Sequence, residues 1–196
     1  MKLYSMPPSG NSHKVSVLLS ILQVPHEKVF VNEAQREHKH PEFLKLNPRG
    51  EVPVIDDDGV VIWDSAACLV YVARKYGGEQ WLPVEAAAMA EVMQWVMLAG
   101  QEIQFGLQYA RRGLLRKRWT GGSLEQWQAL GKVALMALEE RLKAHNWLAL
   151  ERPTIADIAC FPYVDTAPEG AILLTPYPAI SAWLARCKAL PGWASR

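Results

Sequence analysis

The chain has 196 residues, half of them hydrophobic and 21% charged, and its 21 basic and 20 acidic side chains leave a net charge of +1. This length allows one large domain or two modest ones and buries a core without staples. The near-neutral balance gives no long-range attraction to nucleic acid or to an anionic membrane, so neither is expected as a partner. Three cysteines, Cys68, Cys160 and Cys187, form neither a C-x-x-C pair nor a zinc pattern. Reduced thiols and no metal are therefore expected. With no secretory leader pattern and no apolar run approaching ~18 residues, the chain reads as cytoplasmic.

Strand and helix signals alternate over residues 1–77. Lys2 to Ser5 predicts a strand, closed by Pro7-Pro8-Ser9-Gly10. Val15, Leu18, Leu19 and Leu22 recur with the period of an amphipathic helix. Glu27 to Val31 predicts a second strand, and Pro41 to Leu46 a short helix. Val54-Ile55 and Val60 to Trp63 flank Asp57-Asp58-Gly59 as a hairpin. Ser65 to Tyr76 predicts a further helix, closed by Gly77-Gly78. The order β-α-β-α-β-β-α describes a small mixed sheet covered by helices.

Composition changes after Gly78, where Glu79-Gln80-Trp81-Leu82-Pro83 has linker character within residues 78–86. From residue 87 to 196 every long segment carries a helical period. One helix is predicted from about Met89 to Arg112, with Met89, Val92, Met93, Val96 and Ile103 as its stripe. After Gly121-Gly122, Trp127, Leu130, Ala134, Leu138 and Leu142 make a second stripe. Thr154-Ile155-Ala156-Asp157 is a capping box ahead of an apolar run, with a bend or early end expected at Pro162. A last helix is predicted from about Tyr177 to Leu190. Arg111, Arg112, Arg116, Lys117 and Arg118 form a basic run, read as a solvated helix end.

Three segments carry candidate chemistry. At the turn Pro7 to His13, a helix start presents unpaired amides and a dipole that favours an anion, and Ser9, Asn11 and Ser12 add donors. That set suits a thiolate. One of the three side chains is also expected to cap the helix, and the two roles are compatible. At Val52-Pro53, a proline opening a strand belongs at an edge, a bulge, a cis bond or a plain loop. A cis bond would turn the Val52 N–H and C=O outward, to pair with an extended peptide. At Asp64-Ser65, a strand meets a helix start. The pair reads either as an ordinary cap or as a site for a ligand carboxylate and ammonium.

In this order the segments resemble the cytosolic glutathione transferase superfamily over essentially the whole chain. His40 to Pro48 followed by Val52-Pro53 is similar to the family's glutathione-binding region, and Thr154 to Asp157 to its buried helical box. Tyr177-Pro178, Trp183 and Pro191-Gly192 resemble its terminal helix and exit. The resemblance implies an α/β thioredoxin-like domain (1–77), a linker (78–86) and an all-helical domain (87–196). It implies glutathione as co-substrate, a small hydrophobic electrophile and a homodimer.

It further implies Ser9 and Asn11 at the sulfur, as in theta-, delta- and nu-like classes, with Ser12 close by. His38 would stand near the glycyl carboxylate with His40 or Arg49 nearby, Val52 and a cis Pro53 at the cysteinyl backbone, and Asp64 and Ser65 at the γ-glutamyl end. Gly10 occupies the position where beta-like classes hold a cysteine. Asp64 is shorter than the family's common glutamate, and Glu51 is out of place beside an anionic ligand. An electrophile pocket is expected between the domains, with Met97, Gln101, Phe105, Tyr109 and Arg112 as candidate lining. A glutathione-dependent disulfide reductase or peroxidase, and a non-catalytic binding protein of this fold, are the alternative readings.

Overall fold

In the computed structural model, which describes residues 1–117 and 122–195, the chain forms two compact units. One comprises Met1–Leu82 with the tail from Pro191, the other Pro83–Leu190. The tail, which the sequence reading left with the helices, belongs to the first unit. There the His13 ring bonds through Nε2 to the Ala194 carbonyl at 3.0 Å.

The first unit runs β1 (Lys2–Ser5), α1 (Gly10–Ile21), β2 (Glu27–Phe30), α2 (Pro41–Leu46), β3 (Val54–Asp57), β4 (Val60–Trp63) and α3 (Ser65–Val72). Its strands lie in the order β2-β1-β3-β4, with β1 parallel to β2 and antiparallel to β3, and β3 antiparallel to β4. A four-residue parallel pair needs a crossover, and α1 supplies it. Asp58 and Gly59 both take positive φ, the twist a two-residue hairpin requires. Leu3, Val15, Leu18, Leu19, Val54, Ile55, Leu69 and Val72 are fully enclosed between sheet and helices. The predicted helix to Tyr76 is shorter: α3 ends at Val72, and a wide π-type turn follows over Ala73–Gly77.

That wide turn lies where three side chains reach one buried carboxylate. Asp57 Oδ2 accepts from Lys75 Nζ at 2.5 Å, Tyr76 OH at 2.6 Å and Tyr71 OH at 2.9 Å. Burial pushes this carboxyl up, but the bonds from Lys75, Tyr76 and Tyr71 outweigh it and hold it at about 2. The folded value lies below the unfolded one of ~3.9. The stabilisation is therefore complete above about pH 4 and is lost as pH falls toward 2. We expect thermal melts of the native protein to fall steeply across that window, and those of Asp57→Asn to fall less. Parallel curves would remove Asp57 from the account.

The second unit contains α4 (Ala86–Gly100), α5 (Tyr109–Arg116), α6 (Leu124–Ala144), α7 (Ile155–Asp165) and α8 (Pro178–Lys188). The single helix predicted from Met89 to Arg112 is in fact two. Gln101 leaves helical geometry at φ −113°, ψ −96°, and a π-type turn over Ile103–Gln108 leads into α5. This turn lets Gly106 rest directly on Gly131 of α6. Thr154 and Asp157 form the predicted capping box, and α7 ends three residues beyond Pro162. Glu139 of α6 caps α8, accepting from Ala179 N at 3.1 Å and Ile180 N at 3.0 Å. The basic run is not one patch. Arg111 is buried and paired with Glu169 at 2.6 Å, while Arg116 and Lys117 are exposed. Arg118 and Gly121 lie outside the described residues. None of the described helices is long and apolar enough to cross a membrane.

Candidate active site

The register of the sheet brings the three polar segments of the first unit to one end. Tyr4 pairs with Val54, and Val54 with Trp63. The residues after β1, before β3 and after β4 therefore emerge together. The chain also leaves parallel β2 there, since Ser5 aligns with Phe30. Beneath this end Val31, Phe43 and Val54 form a buried cluster, with Tyr4, Met6 and Val52 packed against it. In α/β sheets the carboxyl ends of parallel strands are where ligands collect.

At the start of α1, Ser9 is the cap: its Oγ accepts from Ser12 N at 3.2 Å and its carbonyl from His13 N at 3.0 Å. A hydroxyl that accepts one bond still has its own O–H to donate. Among the described residues no hydrogen bond engages the amides of Gly10 and Asn11, the first two of the helix. Asn11 Oδ1 and Ser12 Oγ are buried without a partner. This corner holds more polar groups than the fold itself satisfies, which is unusual for buried groups.

The Val52–Pro53 bond is cis. No hydrogen bond among the described residues uses the Val52 N–H or C=O. The adjoining loop is held by Asn47, which is buried; its Nδ2 donates to the Glu51 carbonyl at 2.7 Å and its Oδ1 accepts from Arg49 N at 3.0 Å. Gly50 has φ +59°, and a Cβ there would stand 2.5 Å from the His38 carbonyl. Only glycine fits so close an approach in that conformation. His38 Nδ1 is buried without a partner. Burial, then the charge of Lys39, push the His38 pKa below its ordinary value, which favours the neutral ring.

Asp64 caps α3 with Oδ1, which accepts from Ala66 N at 2.8 Å and Ala67 N at 3.3 Å. Its backbone sits at φ 74°, ψ 132°, a region that non-glycine residues avoid. Asp64 is exposed while Ser65 is buried beside it. The cap reading of Asp64 thus holds, and its second oxygen faces no partner among the described residues.

Residues 1–74 match the model of the glutathione S-transferase N-terminal domain, and residues 125–191 that of the glutathione S-transferase C-terminal domain. The chain belongs to the glutathione S-transferase family. It is 32% identical to Glutathione S-transferase D7 of Anopheles gambiae, across 95% of this chain and 85% of that one. It is 28% identical to the Disulfide-bond oxidoreductase YfcG of Escherichia coli K12, across 94% and 88%. A glutathione transferase crystal structure from Burkholderia graminis, with two glutathione molecules bound per subunit, superposes at a TM-score of 0.84 and 30% identity. That superposition covers 97% of this chain and 84% of the other.

In this transferase-family chain Cys68, Cys160 and Cys187 are not joined in disulfides. All three are buried. Burial, then the Asp64 charge, push Cys68 up to about 12, and burial raises Cys187 well above its ordinary value. Such thiols are poor nucleophiles. The five residues assigned by sequence to the electrophile all belong to the helical unit. Met97 and Phe105 are exposed apolar side chains, and Gln101 closes α4. Phe105 meets Tyr109 edge-on at 5.3 Å, and Tyr109 meets buried Trp127 at 5.7 Å. Arg112 is half-buried on α5. Sequence reasoning missed the strained backbone of Asp64, the Asp57 hub and the His13–tail contact. Only Asp57 left a trace, in the spacing of Tyr71, Lys75 and Tyr76 on one helix end.

Proposed function

We propose that this chain is a cytoplasmic, homodimeric glutathione transferase that holds glutathione at the carboxyl end of its small sheet and turns the thiol into a thiolate. The observation that carries the reading is the start of α1, where the Ser9 hydroxyl and the Gly10 and Asn11 amides are free to donate. These groups share one sheet end with the open Val52 backbone. In this reading the Ser9 hydroxyl and Asn11 side chain bond the sulfur, with Ser12 beneath them. Val52 pairs with the cysteinyl backbone, and Asp64 and Ser65 hold the γ-glutamyl ammonium and carboxylate. Neutral His38 donates to the glycyl end, with Arg49 near it.

A free thiol with pKa ~8.5 is only about 3% ionised at pH 7. Lowering it by about two units requires roughly 2.7 kcal/mol of preferential anion binding, within reach of two charge-assisted bonds at a helix start. The thiolate fraction then rises by at most about 30-fold. The rest of the rate comes from holding the electrophile against the sulfur. Met97, Gln101, Phe105, Tyr109 and Arg112 are assigned to that task. The sulfur then attacks carbon, the leaving group departs with the bonding electrons, and the thiol proton has already gone to solvent.

The similarity to a disulfide-bond oxidoreductase favours a second reading, in which the same thiolate attacks a disulfide sulfur and a second glutathione completes the exchange. Paired assays with an aryl halide and with a small glutathione mixed disulfide separate the two. We expect conjugation to exceed the uncatalysed rate by at least ~10²-fold. Disulfide turnover without conjugation would replace the first reading by the second, and neither activity would reduce the chain to a binding protein. Sedimentation showing only monomer at micromolar concentration would remove the dimer.

A further inference from the structure

The loop entering β3 carries an arrangement that a site for a free carboxylate does not need. Arg49 Nε and Nη2 both lie 3.1 Å from Glu51 Oε2. The two side chains are equally exposed, at 59% each. Beneath them the loop is fixed by Asn47 and by Lys39, whose Nζ donates to the Arg49 carbonyl at 2.8 Å. The Arg49 guanidinium, three residues before Val52 in the sequence, is thus already met by a carboxylate of the chain itself. Arg49 and Glu51 cancel in charge, His38 favours its neutral form, and Lys39 is the one cation of this group left without a counter-charge among the described residues.

We propose that Glu51 is a specificity-determining residue: by occupying Arg49 it leaves Lys39 as the one uncompensated cation of this loop among the described residues and so weakens the preference for an anionic glycyl end. The site then accepts γ-glutamylcysteinyl peptides whose terminal carboxyl is blocked as an amide as readily as free glutathione. The inference rests on the glutathione-binding reading above. Its physical content is competition. An incoming carboxylate must displace Glu51 from Arg49 and stand beside the anion it displaced, whereas an amide meets no such repulsion. Because the internal pair is exposed it is weak, so its effect is on choice of ligand more than on stability.

Displacement titrations with glutathione and its glycinamide analogue, at low ionic strength, test this. For the native chain we expect the two dissociation constants to agree within about threefold. Glu51→Gln frees Arg49 and shifts the ratio toward free glutathione by about 3- to 10-fold, and adding Arg49→Gln cancels that shift. A native preference for free glutathione above about tenfold would overturn the proposal, as would a ratio unmoved by Glu51→Gln. If the native chain bound neither ligand at millimolar concentration, the glutathione reading itself would fall and take this inference with it.

Discussion

Asp157→Ala is expected to lower the unfolding free energy by about 3–5 kcal/mol, the cost of stranding a buried network. The carboxylate is fully enclosed, and its two oxygens together accept from three separate segments. Oδ1 accepts from Leu148 N at 3.1 Å and Trp183 Nε1 at 2.9 Å, while Oδ2 accepts from Thr154 N at 3.0 Å and Thr154 Oγ1 at 3.4 Å. One side chain therefore ties the start of α7 to α8 and to the segment after α6. Alanine leaves those donors buried and unmatched, and opens a void beside Trp183. In a chain of this length the melting temperature should drop by roughly 6–20 °C. Burial pushes the Asp157 carboxyl up to about 6. Its folded value thus exceeds the unfolded ~3.9, and the native state holds the proton more tightly. This group's contribution is greatest at low pH and declines as pH rises from about 4 to 6. Asp157→Asn, which keeps one acceptor oxygen and carries no charge, should lose less stability than the alanine variant and should abolish that decline. Denaturant unfolding of both variants between those pH values checks the pair, and a loss below ~1 kcal/mol in Asp157→Ala would show that the network is not what holds α7.

The second large effect is expected at Gly106. A Cβ added there would lie 2.3 Å from Gly131 N and 2.5 Å from Gly131 Cα, both backbone atoms in the middle of α6. No rotamer change relieves such a contact, so the helices must separate and the neighbouring layer must shift with them. Gly131 is itself confined, since its own added Cβ would meet Leu107 Cδ2 at 2.6 Å. Gly106→Ala should cost about 3 kcal/mol or more, at the upper end for overpacking. It should also perturb the exposed Phe105 and the Phe105–Tyr109 contact on the same turn. Gly100→Ala is the control: nothing lies within 4 Å of its added Cβ, and alanine favours the helix. Thermal melts of the two variants should diverge sharply, and similar melts would reject the close-packed turn.

Local chemistry made much of this architecture legible. The hairpin was readable because Asp58-Gly59 suits a turn with positive φ, and α7 because Thr154 and Asp157 announce a helix start. The break after Gly100 was not readable. The apolar period continues through Ile103, and the departure at Gln101 follows from how the turn packs on Gly131, a tertiary fact. Arg111 looked solvated beside other cations, but its pairing with Glu169 spans 58 positions of sequence. At the site, residue types marked Ser9, Asn11 and Ser12 as competing donors. Only backbone geometry shows that Ser9 caps α1 and leaves the Asn11 and Ser12 oxygens unmatched. Glu51 stood out in the sequence as an acid in a region expected to meet an anion, but only the structure shows that it pairs with Arg49.

Loss of the thiol proton from glutathione bound at the start of α1 is the step on which the proposed activity depends. Ultraviolet difference titration of the thiolate in the native complex measures this directly. We predict a bound thiol pKa near about 6.5 against ~8.5 in free solution, moved back upward in Ser9→Ala and Asn11→Ala and furthest in the double variant. A bound thiol that titrates at the free value in the native protein, or a lowered value that all three variants leave untouched, would contradict it.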